Sequence, residues 1–353
     1  VATSGTYGTY VYRVGQLIED AALRAGIPAQ MLTSDLLVRS MRALNLLLSE
    51  MPNIRIYTWQ QQQIILPLYE GQAAVTAPTG TFNLLDRTLR KPTRLTGGTV
   101  TSSAGGTVAN AVDDNFETLL TQTSTNGNVR IVFTTATQLY EVGILWGAVN
   151  ATVQFVVERS VDSGVTWLQV GSTYTVTATD RTWSWVQVEG APATYWRVRI
   201  TNGTTLIARE VYFGGAPTDI PLSTMTRTEY MQMPNRLQPG QPLQGWLDRQ
   251  VDQVVLWLWQ VPRSDYRYYH IMAYQQRYIA DVTSLRETLD VPRNWYAVVT
   301  KALAVYMCET FEEAKKERLA DLRQQQVMAF MPAQAEDRDG SDVTIFPDIS
   351  AYT

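Results

Sequence analysis

The sequence predicts an α+β chain, in which a helical core with a small β-sheet region is interrupted by an inserted, jelly-roll-like β-sandwich. Three observations carry this prediction. Residues 10–50 and 290–330 of the 353-residue chain place apolar side chains at helical spacing. Between them, residues 96–215 are rich in Thr, Val, Gly and Trp and contain neither Lys nor Met. That middle stretch also divides into about seven short β-prone runs separated by turn residues, the pattern of a sandwich. The expected organisation is a discontinuous core from 1–95 and 216–334, an insert over 96–215, and an extended C-terminal tail over 335–353.

The elements follow in order. Val1 to Tyr12 is small, polar and Tyr-containing, and is expected to be a flexible or partner-ordered arm. Val14, Leu17, Ile18, Ala21 and Ala25 share one helical face, and Gly26 and Pro28 stop that helix. Thr33-Ser34-Asp35 offers side-chain oxygens to cap a second helix, with Leu37, Met41, Leu44 and Leu48 as its stripe and Pro52 as its end. The short connection favours an antiparallel hairpin. Ile54–Trp59, Gln61–Leu68 and Thr81–Leu89 read as extended segments.

In the insert, the predicted strands are Val129–Phe133, Glu141–Leu145, Val153–Glu158, Trp167–Val170, Trp183–Val188, Tyr195–Ile200 and Ile207–Phe213. Asn126-Gly127, Asp162-Ser163-Gly164 and Asn202-Gly203 supply turns between them. Beyond the insert, Met225–Gly245 reads as loop. Val254–Trp259 is an almost wholly apolar buried strand, and Tyr266–Tyr274 is expected to pair with it as a hairpin. The next helix opens at Asp290-Val291-Pro292-Arg293 and buries Trp295, Val299, Ala302 and Tyr306. A charged helix is expected over Glu312–Arg323, with Glu312 and Lys316 paired one turn apart.

Composition restricts the function. The formal net charge is −4 and no dense Lys/Arg face is evident, which argues against a nucleic-acid clamp. The single cysteine, Cys308, excludes a disulfide framework and reads as a small buried helix residue. The longest apolar run is far short of a membrane span, and no signal-peptide pattern is present, so synthesis in the host cytoplasm is expected. His270 is the only histidine and falls in a Tyr-rich strand, where a satisfied structural residue is expected rather than a general base. There is no phosphate loop, HExxH helix or cysteine cluster. Asp113-Asp114 is the nearest carboxylate pair, but adjacency does not place two carboxylates across a substrate. No catalytic residue and no cofactor is assigned, and the chain is read as a non-enzyme.

Two resemblances sharpen this reading. Ala111-Val112-Asp113-Asp114-Asn115 with Thr118, the run Val129–Phe133, Val153–Ser160 leading into Asp162-Ser163-Gly164-Val165-Thr166-Trp167, Tyr195–Ile200 and Ile207–Gly214 together resemble the discoidin, or coagulation-factor type C, galactose-binding-like domain. Asp114 stands where that family usually has Gly. The resemblance implies loops at one end that bind sugars, lipid head groups or proteins, sometimes with a structural calcium. Asp113, Asp114 and Asn115 are the candidate calcium ligands, against a turn that caps its own backbone. Trp183 and Trp185 share a strand face and are candidates for stacking on a sugar, against a core aromatic pair.

Outside the insert, Glu229-Tyr230 to Pro234-Asn235, Gln238-Pro239-Gly240-Gln241-Pro242, Trp246–Arg249, Trp257–Pro262 and Val291-Pro292 before an Ala-rich helix resemble, in their order, the head-to-tail adaptors of short-tailed phages. That resemblance implies a ring of about twelve subunits beneath a portal protein, at the head–tail junction of the virion. Neighbouring subunits, a downstream tail protein or fibres, and DNA passing without sequence-specific binding would be its partners. Glu312–Arg323 would line the lumen or pair with a neighbour, against an ordinary solvated helix, and Ile345, Phe346 and Tyr352 in the polar tail would anchor on a partner, against simple disorder. The expected function is this structural adaptor, with the insert projecting toward capsid, fibres or host glycan. The competing class is a carbohydrate-binding adhesion protein acting through the sandwich.

Overall fold

The structure, a computed structural model, describes residues 11–51, 58–251 and 253–336. The expected N-terminal arm to Tyr10, most of Ile54–Trp59, and the tail anchors Ile345, Phe346 and Tyr352 lie outside the described residues. Five α-helices occur among the described residues: α1 (Val14–Arg24), α2 (Ser34–Glu50), α3 (Arg227–Gln232), α4 (Tyr296–Thr310) and α5 (Leu319–Glu336). The chain divides into two compact units, one of residues 1–62, 78–83 and 275–353, the other of residues 63–77 and 84–274.

In the first unit, α4 is the centre. Val298, Val299, Leu303, Ala304, Met307 and Cys308 are all buried, so the helix is apolar around most of its circumference, and it packs against α1, α2 and α5. The stripes of α1 and α2 meet it through Val14, Leu17, Ile18 and Ala21 and through Leu36, Leu44 and Leu48. The Thr33 hydroxyl accepts from the Leu36 N–H at 3.3 Å, which is the expected cap of α2. Leu37 and Met41, predicted as core, are only half-buried, because the stripe is rotated toward Leu36, Ser40 and Ala43.

The charged helix expected over Glu312–Arg323 is not formed as such. α4 ends at Thr310, a turn follows, and Lys316–Arg318 is a single 3₁₀ turn before α5. Lys316 does not pair with Glu312 one turn away. Its ammonium donates to the carbonyls of Cys308 at 2.7 Å and Glu309 at 3.0 Å, satisfying acceptors that the end of α4 leaves open. Helical charge spacing and a helix-ending lysine look alike in sequence.

The second unit is β-rich. A five-stranded antiparallel sheet runs in the order Thr99–Ser102, Asn128–Thr137, Ala193–Ile200, Ala151–Ser160, Leu168–Ala178. A second sheet contains, in order, Gln61–Pro67, His270–Arg277, Thr81–Arg94, Ile207–Pro221, Glu141–Trp146 and Trp183–Gln187, with Leu120–Thr121 beside Ile207–Pro221. Their facing sides close one core around Val129, Ile144, Trp146, Phe155, Trp196, Val198 and Val211, so the middle of the chain folds as a two-sheet β-sandwich. All seven predicted insert strands are present, most of them longer than expected. The turn signals act as read: Asn126, Ser163, Gly164 and Gly203 all take positive φ.

Two expectations in this unit fail. Val254–Trp259 pairs with Gln244–Arg249 and Ala74–Thr76, not with the Tyr-rich strand. The Tyr-rich strand starts only at His270, after a 3₁₀ turn over Ser264–Tyr266, and lies between Gln61–Pro67 and Thr81–Arg94. Alternating hydrophobicity specifies which face is buried but not which strand is the neighbour. The predicted loop Met225–Gly245 contains α3, closed by a reciprocal capping box between Thr226 and Glu229.

Candidate functional site

The site lies at one end of the second unit, where four segments distant in sequence meet. They are the turn Asn115–Glu117, the turn before Trp183, the segment after Gln61–Pro67, and the 3₁₀ turn preceding the Tyr-rich strand. They enclose a cavity of about 510 Å³ lined by Tyr69, Phe116, Trp183, Leu68 and Leu145 on its apolar side. Asn115, Glu117, Glu70, Arg181, Ser264 and Arg267 supply its polar side.

The apolar wall is a ring of aromatics on the outer face of the second sheet. Trp183 and Trp185 stack on one another with centroids 4.9 Å apart. Trp185 is held beneath by His270 at 4.6 Å and Tyr212 at 5.3 Å, while Phe116 meets Trp183 edge-on at 5.6 Å. Gly143 lies directly opposite Trp185 in the strand pair, and a Cβ there would come within 2.7 Å of the indole ring. The glycine is what lets the indole lie flat on the sheet. Trp183 and Trp185 are only 6% and 8% exposed, which makes Trp185 a core residue and leaves Trp183 as cavity floor. The Trp183 N–H donates to the Tyr69 hydroxyl at 3.0 Å, bringing Gln61–Pro67 and the edge strand together at the cavity.

The polar side is built on ion pairs. Arg181, with φ of 62°, meets Glu117 through two parallel bonds, the guanidinium nitrogen Nη1 donating at 2.8 Å. Behind it the nearly buried Arg209 makes two bonds to Asp180, at 2.8 and 3.2 Å, and a third to the Phe116 carbonyl at 3.0 Å. Arg209 thereby joins the two turns that carry Phe116, Glu117 and Arg181. Arg267 stands over the Phe116 ring at 4.7 Å and over Tyr268 at 5.3 Å.

The remaining sequence candidates occupy different environments. The Asp113 carboxylate accepts from the Asn115 N–H at 3.0 Å and the Thr118 hydroxyl, and Asn115 Oδ1 accepts from the Glu117 N–H at 3.1 Å. These are the bonds of a self-capping turn. Asp114, at φ of 58°, turns its carboxylate instead to Arg94 at 3.1 Å and to the Tyr268 hydroxyl. No cluster of three or more His, Cys, Asp or Glu side chains that could hold a metal occurs among the described residues. His270 is fully buried, its Nε2 3.5 Å from Glu141, and burial drives its pKa down to about 3.

Of the residues singled out in the sequence, Trp183, read as a stacking candidate, and Asn115, read as a calcium ligand, line this cavity; Tyr69, Phe116, Glu117, Arg181 and Arg267 were not singled out. No spacing connects these residues, because the cavity draws on four separate segments. The one local signal was Phe116 beside a turn of polar residues, an apolar ring where a solvated loop needs none.

No family model matches the chain, and no curated protein matches it. Solved structures similar to part of it include carbohydrate-binding modules. The family 32 module of AlyQ, in complex with 4,5-unsaturated mannuronic acid, is 19% identical, with a TM-score of 0.30 over 33% of this chain and 95% of that one. A chitosan-binding module of a Paenibacillus sp. IK-5 chitosanase/glucanase is 21% identical, with a TM-score of 0.29 over 36% and 99%. The family 32 module of NanJ from Clostridium perfringens, in complex with galactose, is 11% identical, with a TM-score of 0.30 over 35% and 98%.

Proposed function

We propose that this chain is a non-catalytic binding protein that takes carbohydrate in the cavity at the end of its β-rich unit. One observation carries the reading: the aromatic side chains of Tyr69, Phe116 and Trp183 line a single concavity together with the planar polar groups of Asn115, Glu117, Arg181 and Arg267. A pyranose has the matching chemistry. Its axial C–H face packs on an aromatic ring, and its hydroxyls need paired donors and acceptors at the rim. The only histidine is buried beneath the aromatic layer, which supports binding rather than acid–base chemistry here. A glycan array on the full chain, followed by calorimetry, tests this. A saccharide whose affinity falls at least tenfold in Phe116→Ala is expected, and absence of any glycan binding overturns the reading.

A second reading concerns the helical unit. α5 carries Val327, Met328 and Met331 at 51%, 63% and 65% exposure, an apolar surface without a covering element among the described residues. Together with the motif order outside residues 96–215, this supports a head-to-tail adaptor of a short-tailed phage. In that reading residues 1–95 and 216–334 build a ring under the portal protein and the sandwich is an insert with its own ligand. Native mass spectrometry and electron microscopy with a portal protein test it: a coaxial ring is expected, and a monomer that ignores the portal overturns it.

A further inference from the structure

Within the carbohydrate reading, on which this inference rests, we propose that the cavity selects an acidic sugar, a hexuronate, and that Arg267 receives its carboxylate. The two arginines of the cavity are not equivalent. Arg181 is committed, both of its terminal nitrogens being used on Glu117. Arg267 is half-buried, its guanidinium carbon 4.7 Å from the Phe116 ring centre and 5.3 Å from that of Tyr268, and it forms no ion pair with a carboxylate among the described residues. Contact with aromatic rings restrains a guanidinium without consuming its N–H groups in hydrogen bonds, which leaves a donor fork suited to two-point recognition of a carboxylate. A cation kept partly out of water beside a cavity gains most from an anionic ligand group.

The rest of the lining fits the rest of such a ligand. Phe116 offers a ring for the C–H face of the pyranose, and Asn115, Ser264 and the exposed Glu70 offer partners for its hydroxyls. Glu117 adds little repulsion because Arg181 neutralises it.

The test is calorimetry on the full chain with galacturonate and glucuronate oligomers, the neutral galactose and glucose oligomers, and galactose 6-sulfate. Acidic oligomers are expected to bind at least tenfold more tightly than their neutral counterparts. Arg267→Gln should equalise the two, and Arg267→Lys, which keeps the charge without the fork, should recover part of the preference. Equal affinity for neutral and acidic sugars, a preference that survives Arg267→Gln, or tighter binding of the sulfate than of any uronate overturns the inference and leaves the carbohydrate reading standing. Binding of no sugar at all removes both.

Discussion

Glu141 Oε2 lies 3.5 Å from His270 Nε2, and both side chains are sealed from solvent at 2% and 1% exposure. Two ionisable groups in contact would ordinarily form an ion pair. Here burial opposes both charges, raising the Glu141 pKa to about 7 and lowering that of His270 to about 3, so at pH 5 the pair is a neutral acid beside a neutral imidazole.

This pair predicts a pH signature. The native chain holds a proton on Glu141 between its ordinary value of 4.5 and about 7, where the unfolded chain has released it. Its contribution to stability is therefore full below pH 4.5 and is lost as pH rises through 7. His270 acts oppositely: the unfolded chain binds its proton below 6.5 and the native chain only below about 3, so stability from this group grows as pH rises across that window. Glu141→Gln keeps the shape and removes only the first effect. Relative to the parent, the variant should gain on the order of 3 kcal/mol between pH 4.5 and 8. Urea unfolding at pH 5, 6, 7 and 8 measures this, and a pH-independent difference refutes it.

Gly143 gives a packing prediction. Any side chain there meets the Trp185 ring, and the indole cannot lift away because His270 and Tyr212 hold its other contacts. Gly143→Val should cost about 1–3 kcal/mol through overpacking. Thermal unfolding reports the cost, and quenched or shifted tryptophan fluorescence reports displacement of the Trp183–Trp185 stack. An unchanged melting temperature contradicts the packing account.

Which parts of the fold were legible follows from what each signal encodes. The strand alternation and turn residues of residues 96–215 concern local geometry, and the sandwich could be read from them down to Asn126 and Ser163. The capping box of α3 was equally local, as Thr226 and Glu229 stand three apart, and was obscured only by the prolines that follow it. Strand partnership is different. The neighbour of Val254–Trp259 is decided by the whole core around Leu222, Leu256 and Ile271, and no window of sequence contains that choice. The cavity is non-local in the same sense. Trp183 was visible as an aromatic on a strand, but its role as a floor depends on Tyr69, more than a hundred positions away.

Lys316 offers a test of the corrected helix boundary. In a continuous charged helix its removal would cost little, as exposed pairs one turn apart contribute a few tenths of a kcal/mol. As a donor to the Cys308 and Glu309 carbonyls it closes α4, the most buried helix of its unit. Lys316→Ala should therefore cost about 1 kcal/mol, while Glu312→Ala should be near neutral. Equal effects from the two would restore the continuous helix. Chemical denaturation of both variants decides.

Arg209 separates positioning from contact. Its guanidinium does not line the cavity, yet it holds Asp180 and the Phe116 carbonyl together, and those bonds set where Phe116, Glu117 and Arg181 stand. Arg209→Met retains the apolar stem but frees both turns, at an expected stability cost of about 1–3 kcal/mol. Affinity for the cavity ligand should fall by at least tenfold even at low temperature, where the fold remains intact. Phe116→Ala should show the reverse balance, a loss of affinity with a smaller change in melting temperature. Calorimetric titration beside thermal unfolding of both variants gives the two quantities independently. If Arg209→Met lowers stability alone, the turns keep their geometry without it, and the cavity is set instead by the aromatic layer beneath.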